Sequence, residues 1–470
     1  MGYMEMIRPG RTISTMVSSM CVRTSGCREG LLPMKPNEIS KFHMVFKSIH
    51  TMAIYMLQML RTMFPADNCI ATRARAKRNG LCARVISLLI CALSIVSCES
   101  DIPMVNLGID ETYAIERMRT LILHPEFPGE AYVWKMGDTV ISTERDLIFC
   151  QADTGTYEIQ LKIQDKHNPV THSFKVVVWE EQVAYSPYIS KVLEYNPAPG
   201  QFVNTMPIYE EGDSYETMRQ KAEESIAGTN NSLISLGAWG GYVTFTFDHS
   251  VVNKPDELDF LIEGNAFLSS AMQKGGSSEP GIVMVSVDVN QNGIPDDPFY
   301  ELAGSEYHHP NTLHHYALTY HRTPADHVPE FEKKSPITDS TYILWTDNQG
   351  GRGYVKKNSF HSQNYFPMWL KDSTLTFYGS CLPNNAYDAS GNGNYWVQNF
   401  YGQGYADCNP NDSVHLNSFD ISWAVTEEGQ AISLPCADFV RVYTGVNQEC
   451  GWIGETSTEI SHARDLHIVL

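Results

Sequence analysis

Apolar and polar residues alternate in short runs from Asp101 to about Glu180. The runs AYVWKMG (131–137), TYEIQLKIQD (156–165) and SFKVVVWEE (173–181) carry the two-residue period of half-buried strands, with turn residues between them. A connecting stretch over 186–204 leads to the one segment with a helical period. In SYETMRQKAEESIAG (214–228), Met218, Ala222, Ile226 and Ala227 share a face, and Gly228 supplies the stop. Strand patterning then returns at 233–249, 256–267, 281–289, 374–382, 419–429 and 438–446, broken by Gly, Asn and Asp turns. No fixed-period repeat supports a propeller or solenoid. The pattern predicts an all-β protein: a first set of short strands over 101–181, then a larger jelly-roll-like β-sandwich over 186–470 with long loops and one short helix.

Within the first set, Asp153-Thr154-Gly155-Thr156-Tyr157 leads into alternating residues, and Trp134 sits in YVWKMGD. These words resemble the strand entry and core tryptophan of PKD and other immunoglobulin-like domains. The resemblance implies an immunoglobulin-like sandwich over 101–181, a spacer with no chemistry of its own.

Charge separates the chain into two parts. Residues 1–98 carry 13 Lys and Arg against 4 Asp and Glu, and the remainder carries 21 against 50. A body that acidic repels nucleic acid and suits cation binding. A basic run from Arg73 to Arg84 precedes the uncharged VISLLICALSIV (85–96) and Ser97-Cys98. Twelve apolar residues are too few to span a bilayer and suit a secretory signal. The ending Ile95-Val96-Ser97-Cys98 resembles the lipobox of bacterial lipoproteins, which implies a signal peptide over 73–98 and lipidation of Cys98. Residues 1–72 hold 11 of the 19 methionines without a periodic pattern. They read as an extension from a start assigned too early, with Met63 as the expected start. Beyond Cys98 only Cys150, Cys381, Cys408, Cys436 and Cys450 remain, with room for one pairing among the last four and no dense disulfide framework.

The densest candidate chemistry is DVNQNGIPDD (288–297). Asp288, Asn290 and Asn292 stand at loop positions 1, 3 and 5, Gly293 at 6, the Ile294 carbonyl at 7 and Asp296 at 9. Hard cations need several oxygens, and this is the ligand order of a calcium loop. Position 12 holds Phe299 in place of the usual glutamate, so Asp297 or Glu301 has to contribute, and the loop is not an EF-hand. The plainer reading is an Asn-Gly hairpin turn decorated with solvated acids. A catalytic reading pairs Asp296, Asp297, Glu301 and Glu306 for glycoside hydrolysis.

Six histidines gather between 308 and 327 without HExxH or HxH spacing, so zinc has little support. GxSxG and phosphate-loop motifs are absent. Aromatics set among Asn, Asp and Gly over 384–412 suit a stacking surface at a sandwich rim: Tyr387, Tyr395, Trp396, Tyr401 and Tyr405. Trp345 and Trp369 are candidates for the same surface, although about half of such residues belong to cores.

Several longer words recur in order: SLGAWGGYVTFTFDH, DFLIEGNAF, SSEPGIVMVSVDVNQNGIPDDPFYELAGSEY, NNAYDASGNGNYWV and GETSTEI. Over nearly all of 101–470 the chain resembles Bacteroidetes-type cell-surface lipoproteins, in which a PKD-like domain precedes a β-sandwich, found beside TonB-dependent transporters. The resemblance implies an outer-membrane, lipid-anchored and surface-exposed protein. It would bind a small ligand, corrinoid or glycan, as accessory to a transporter, without being an enzyme itself. A glycan hydrolase and a structural adhesin are the alternative readings.

Overall fold

The alternation in the first segment builds a five-stranded sheet. Its order is Thr112–Glu116, Val170–Trp179, Gly155–Gln164, Ala131–Met136 and Thr139–Ser142, and only the first pair is parallel. A two-stranded ladder, Leu121–Leu123 with Leu147–Phe149, completes the sandwich. The inward residues Trp134, Leu161, Ile163 and Val176 are fully buried. Trp134 donates its indole N–H to the Glu144 carbonyl at 3.0 Å. The Tyr157 hydroxyl donates to the Asp153 carbonyl at 2.8 Å, which pins the strand entry from four residues away.

This computed structural model describes residues 106–165, 169–270 and 275–468. The expected extension, the signal segment and Cys98 lie outside the described residues. Pro103–Leu470 form one compact unit. No helix among the described residues is long and apolar enough to cross a membrane.

After residue 186 the centre is a seven-stranded sheet. It runs Ala424–Val425, Tyr300–Leu302, Gly281–Ser286, Phe439–Thr444, Tyr242–Thr246, Lys191–Asn196, with Tyr405–Ala406 also on Gly281–Ser286. The central strands are apolar on both sides because both faces are covered. Val243, Val283, Val285, Val440 and Val442 belong to the large core, and Ile282 and Tyr443 to a smaller cluster. The helix Tyr215–Ile226 closes the large core with Met218, Ala222 and Ile226, and Ser214 caps it by accepting from the Thr217 N–H. A four-stranded sheet, Arg352–Asn358, Ile337–Asp347, Leu313–His321 and Thr374–Cys381, packs around Trp239, Tyr316, Tyr320 and Tyr365.

The all-β class with one short α-helix is what the described residues show. Two predicted strands are broken, for local reasons. Over 233–249 the chain forms Ile234–Ser235 and Tyr242–Thr246, because Gly237 and Gly240 take φ of +70° and +86° between them. Over 419–429 a 3-10 turn, Ile421–Trp423, capped by Asp420, interrupts the strand. The stretch LWTDNQGGRGY, which holds the candidate Trp345, is a strand hairpin turning at Gly350.

The first sandwich shares a seam with the larger domain. Met118, Cys150 and Ala152 pack into the large core, the Ser250 N–H donates to the Met118 carbonyl, and the Gln291 amide donates to the Thr120 carbonyl. All five cysteines among the described residues are buried thiols, so the one pairing for which the sequence left room is not formed. Leu161→Ala should destabilise the first sandwich by about 2–5 kcal/mol, the usual cost of a cavity at a fully buried leucine. Urea unfolding of the purified variant checks this.

Candidate functional site

The loops at one end of the larger domain enclose an open cleft of about 840 Å³. Three aromatic side chains line it, each held by a different loop: Phe360 after Arg352–Asn358, Trp396 at the start of Trp396–Asn399, and Trp452 in the 3-10 turn Gly451–Ile453. Phe360 is 62% exposed, and its ring centroid lies 5.8 Å from that of Trp452. The Trp396 indole N–H donates to the Gly393 carbonyl at 3.2 Å. Its other support is Gly451, where a Cβ would stand 2.1 Å from the indole ring and φ is +56°. Only glycine lets the chain lie flat against that ring.

Polar groups surround the rings. Glu449 accepts the Lys356 N–H at 2.9 Å, and the Lys356 ammonium pairs with Glu332 at 3.0 Å. Burial pushes the Glu449 carboxyl up to about 7, against the pull of Lys356. Asn392 and Asn394 come from a loop locked from inside. There the Asp388 carboxyl accepts the Gly393 N–H, and Gly391 and Gly393 both take positive φ. Flat apolar faces flanked by fixed acceptors and donors can bind a ring that is apolar on its faces and hydroxylated at its edge.

The residues expected to face ligand are divided by the fold. Trp396 lines the cleft, and Tyr387 and Tyr395 are exposed near it on the same segment. Trp369 is a core residue, stacked at 6.0 Å on Tyr195. Tyr405 is buried and accepts the Glu306 N–H, while Tyr401 packs against it and donates to the Pro383 carbonyl. Trp345 packs on the four-stranded sheet's core, its ring lying over Gly353. These four serve packing: Trp345 and Tyr405 are carried on strands, and Trp369 and Tyr401 sit in turns and loops that fold their rings against the protein. Sequence reasoning missed Phe360, Trp452, Lys356, Glu332 and Glu449. The one local signal was CGWIGE, where a tryptophan between glycines has no strand to belong to.

At DVNQNGIPDD the side chains converge. The Asp288 carboxyl accepts from the Asn292 and Gly293 N–H groups, and the Asn290 and Asn292 amides both lie within 3.2 Å of the Asp296 carboxyl. The Ile294 carbonyl accepts the Asp296 N–H, and Asp297 accepts the Val289 N–H. Glu301 is employed elsewhere. It pairs with Met284 on the sheet, and its carboxyl accepts from the Ser380 hydroxyl at 2.7 Å. That places it in a separate cavity of about 300 Å³ with Tyr307, His314, Tyr316 and Tyr443. Burial pushes the Glu301 carboxyl up to about 7 there, and the other carboxylate on the lining is the exposed Glu427. The six histidines do not converge: His321 bonds Thr346, His327 bonds Asp339, and His314 bonds Ser380 and the Tyr307 carbonyl.

No protein-family model and no curated protein matches the chain. Among solved structures, a SusE-like protein is 8% identical with a TM-score of 0.25, covering 76% of this chain and 94% of that one. Carbohydrate-binding modules from a β-sandwich superfamily are 10% identical with a TM-score of 0.13, at the same coverage. A quinonprotein alcohol dehydrogenase-like protein from Bacteroides thetaiotaomicron is 13% identical with a TM-score of 0.14. The match covers 56% of this chain and 49% of that one, so the chain spans about half its length. Scores this low carry no argument about what the present chain binds.

Glu449 gives the cleft a pH signature. Its folded-state pKa lies above the ordinary carboxylate value, so the folded state holds the proton that the unfolded state releases. Its contribution to stability is complete below about pH 4.5 and is lost as pH rises through about 7. Glu449→Gln should therefore gain stability relative to the parent between pH 5 and 8, by roughly 1–2 kcal/mol at the upper end. Parallel denaturation curves at both pH values measure the difference.

Proposed function

We propose that this chain is a glycan-binding surface lipoprotein, anchored through Cys98, that holds an oligosaccharide in the cleft of Phe360, Trp396 and Trp452. The observation that supports it is the cleft itself: three aromatic faces from separate loops, bordered by Glu332, Lys356, Glu449, Asn392 and Asn394. Sugars stack their apolar faces on such rings and offer hydroxyls to carboxylates, ammonium and amide groups at the edges. A corrinoid fits less well, because no histidine stands on the cleft lining to ligate cobalt. The role we assign is capture of glycan beside an outer-membrane transporter of the TonB-dependent kind, with the first sandwich as spacer.

Calcium is the second part of the proposal. Asp288, Asn290, Asn292, the Ile294 carbonyl and Asp296 would hold it; Asn290 and Asn292 already meet the Asp296 carboxyl, and Asp288 closes the same turn by accepting the Asn292 and Gly293 N–H groups. The ion would neutralise the loop where Gln291 reaches the first sandwich.

The glycan reading is tested by isothermal titration of the purified chain against a panel of oligosaccharides, with cobalamin in parallel. Trp452→Ala should weaken the bound sugar roughly tenfold or more, the usual loss for a truncated aromatic anchor. Binding of cobalamin alone, or an affinity unmoved by Trp452→Ala, would sink the reading. A hydrolase working through the raised carboxyl of Glu301 would release reducing ends from the bound glycan. We expect none, and Glu301→Gln should leave affinity in the cleft unchanged. For the loop, Asp288→Asn combined with Asp296→Asn should remove one bound calcium in equilibrium dialysis.

A further inference from the structure

The largest concentration of buried negative charge lies outside the cleft and the acidic loop. Glu279 stands in the turn before Gly281–Ser286, Asp407 directly follows Tyr405–Ala406, and Glu459 lies in Glu459–Ile460, which pairs with Ile234–Ser235. One carboxylate oxygen from each lies within 4.8 Å of the other two. Asp407 and Glu459 are each 1% exposed, and Glu279 is half-buried. No ion pair among the described residues joins a Lys, Arg or His to any of the three. Glu459 Oε2, in the same carboxyl that faces Glu279 and Asp407, is buried with no hydrogen-bond partner. An orphaned carboxylate oxygen in the interior is costly, and three such carboxyls together add mutual repulsion.

From these observations we propose that Glu279, Asp407 and Glu459 form a buried structural site for a hard divalent cation of the calcium and magnesium class, separate from the loop at 288–297.

The surroundings are built for charge of that kind. Asp407 Oδ1 accepts the Asn265 and Ala266 N–H groups at 2.7 and 2.8 Å, and Oδ2 accepts the Glu459 N–H at 2.9 Å. Those bonds aim the carboxyl and leave one acceptor position, on Oδ2, for an ion. Glu459 Oε1 accepts the Ser457 hydroxyl at 2.6 Å, and Glu279 Oε1 accepts the Ser457 N–H at 3.3 Å. At Gly264 a Cβ would lie 2.3 Å from Asp407 Oδ1, so the chain is bare where it cups this oxygen. The donor set is all oxygen. Cys408, next in sequence, turns its sulfur to the Tyr401 N–H and the Ser278 hydroxyl instead.

The alternative is a set of carboxyl groups neutralised by protons alone, and burial with mutual repulsion does raise all three above their ordinary values. Calcium binding by the full chain separates the two. The protein is stripped with chelator and titrated with calcium chloride, using the Asp288→Asn/Asp296→Asn variant so that the acidic loop cannot contribute. The expected result is one calcium still bound per chain and a melting temperature lowered by chelator. Adding Glu459→Gln to that variant should reduce the remaining affinity at least tenfold and abolish the effect of chelator on melting. Asp407 is avoided because its carboxyl also holds three backbone groups. Glu279→Gln, at the edge of the cluster, serves if Glu459→Gln does not fold. The proposal is overturned if the loop variant binds no calcium and melts alike with and without chelator, or if neither glutamate substitution alters its binding. Loss of calcium at the loop alone leaves this outcome readable, since the parent chain would then bind one ion with or without the loop substitutions.

Discussion

The carboxyl group of Asp407 is the contact on which the larger domain converges. It accepts backbone N–H groups from Asn265, Ala266 and Glu459, which belong to segments 142, 141 and 52 residues distant. Each of those donors would cost about 1–3 kcal/mol if buried without an acceptor. The carboxyl takes all three by dividing them, two on Oδ1 and one on Oδ2, and the chain provides this by burying an acidic group. That choice has consequences. The acidic neighbours Glu279 and Glu459 crowd the same space, and the glycine at 264 is required by the close approach.

The arrangement reaches the cleft through one short segment. From Glu449 to Ile460 the chain first supplies the carboxyl and indole of the cleft, Glu449 and Trp452. It then tucks Glu455 beneath Gln201, whose N–H it meets, and finally enters the carboxyl cluster at Ser457 and Glu459. Gly451 holds Trp396 flat, and Gly454, at φ +116°, turns the chain inward between the two regions. The cleft's aromatics are therefore fixed by loops whose far ends are anchored in the interior. A binding surface gains from such anchoring because less side-chain and loop entropy is lost when a ligand arrives.

How much of this was legible follows from the range of each interaction. Alternation and helix capping are local, and they marked the first sandwich, the helix at Tyr215–Ile226 and most central strands. Aromatic residues in a Gly/Asn-rich stretch are ambiguous by composition. Trp396 faces the cleft while Tyr405, nine positions on, is core, and only strand direction separates them. The spacing of DVNQNGIPDD could be read because all its oxygens come from ten consecutive residues. Glu301, four positions beyond, reads as a ligand by proximity, yet a strand carries it back along Gly281–Ser286 to Ser380. Phe360, Trp452 and Glu449 share no word of sequence, and their meeting depends on sheets paired across the whole domain.

The same distinction bears on the two proposed cation sites. A loop such as 288–297 carries its ligands on one flexible turn, with Gly293 at φ +73° and Asp288, Asn290 and Asn292 exposed or partly so. An ion there competes with water and stiffens one turn, together with its contact from Gln291 to the first sandwich. Glu279, Asp407 and Glu459 come from three segments of the folded domain and have little water to fall back on. Their charge can be borne only by protons or by a cation, and in either case the partner is bound by the folded state and released on unfolding. Whatever occupies that cluster therefore adds directly to the stability of the domain. The exposed loop, for all its recognisable spacing, can tune only the seam it touches.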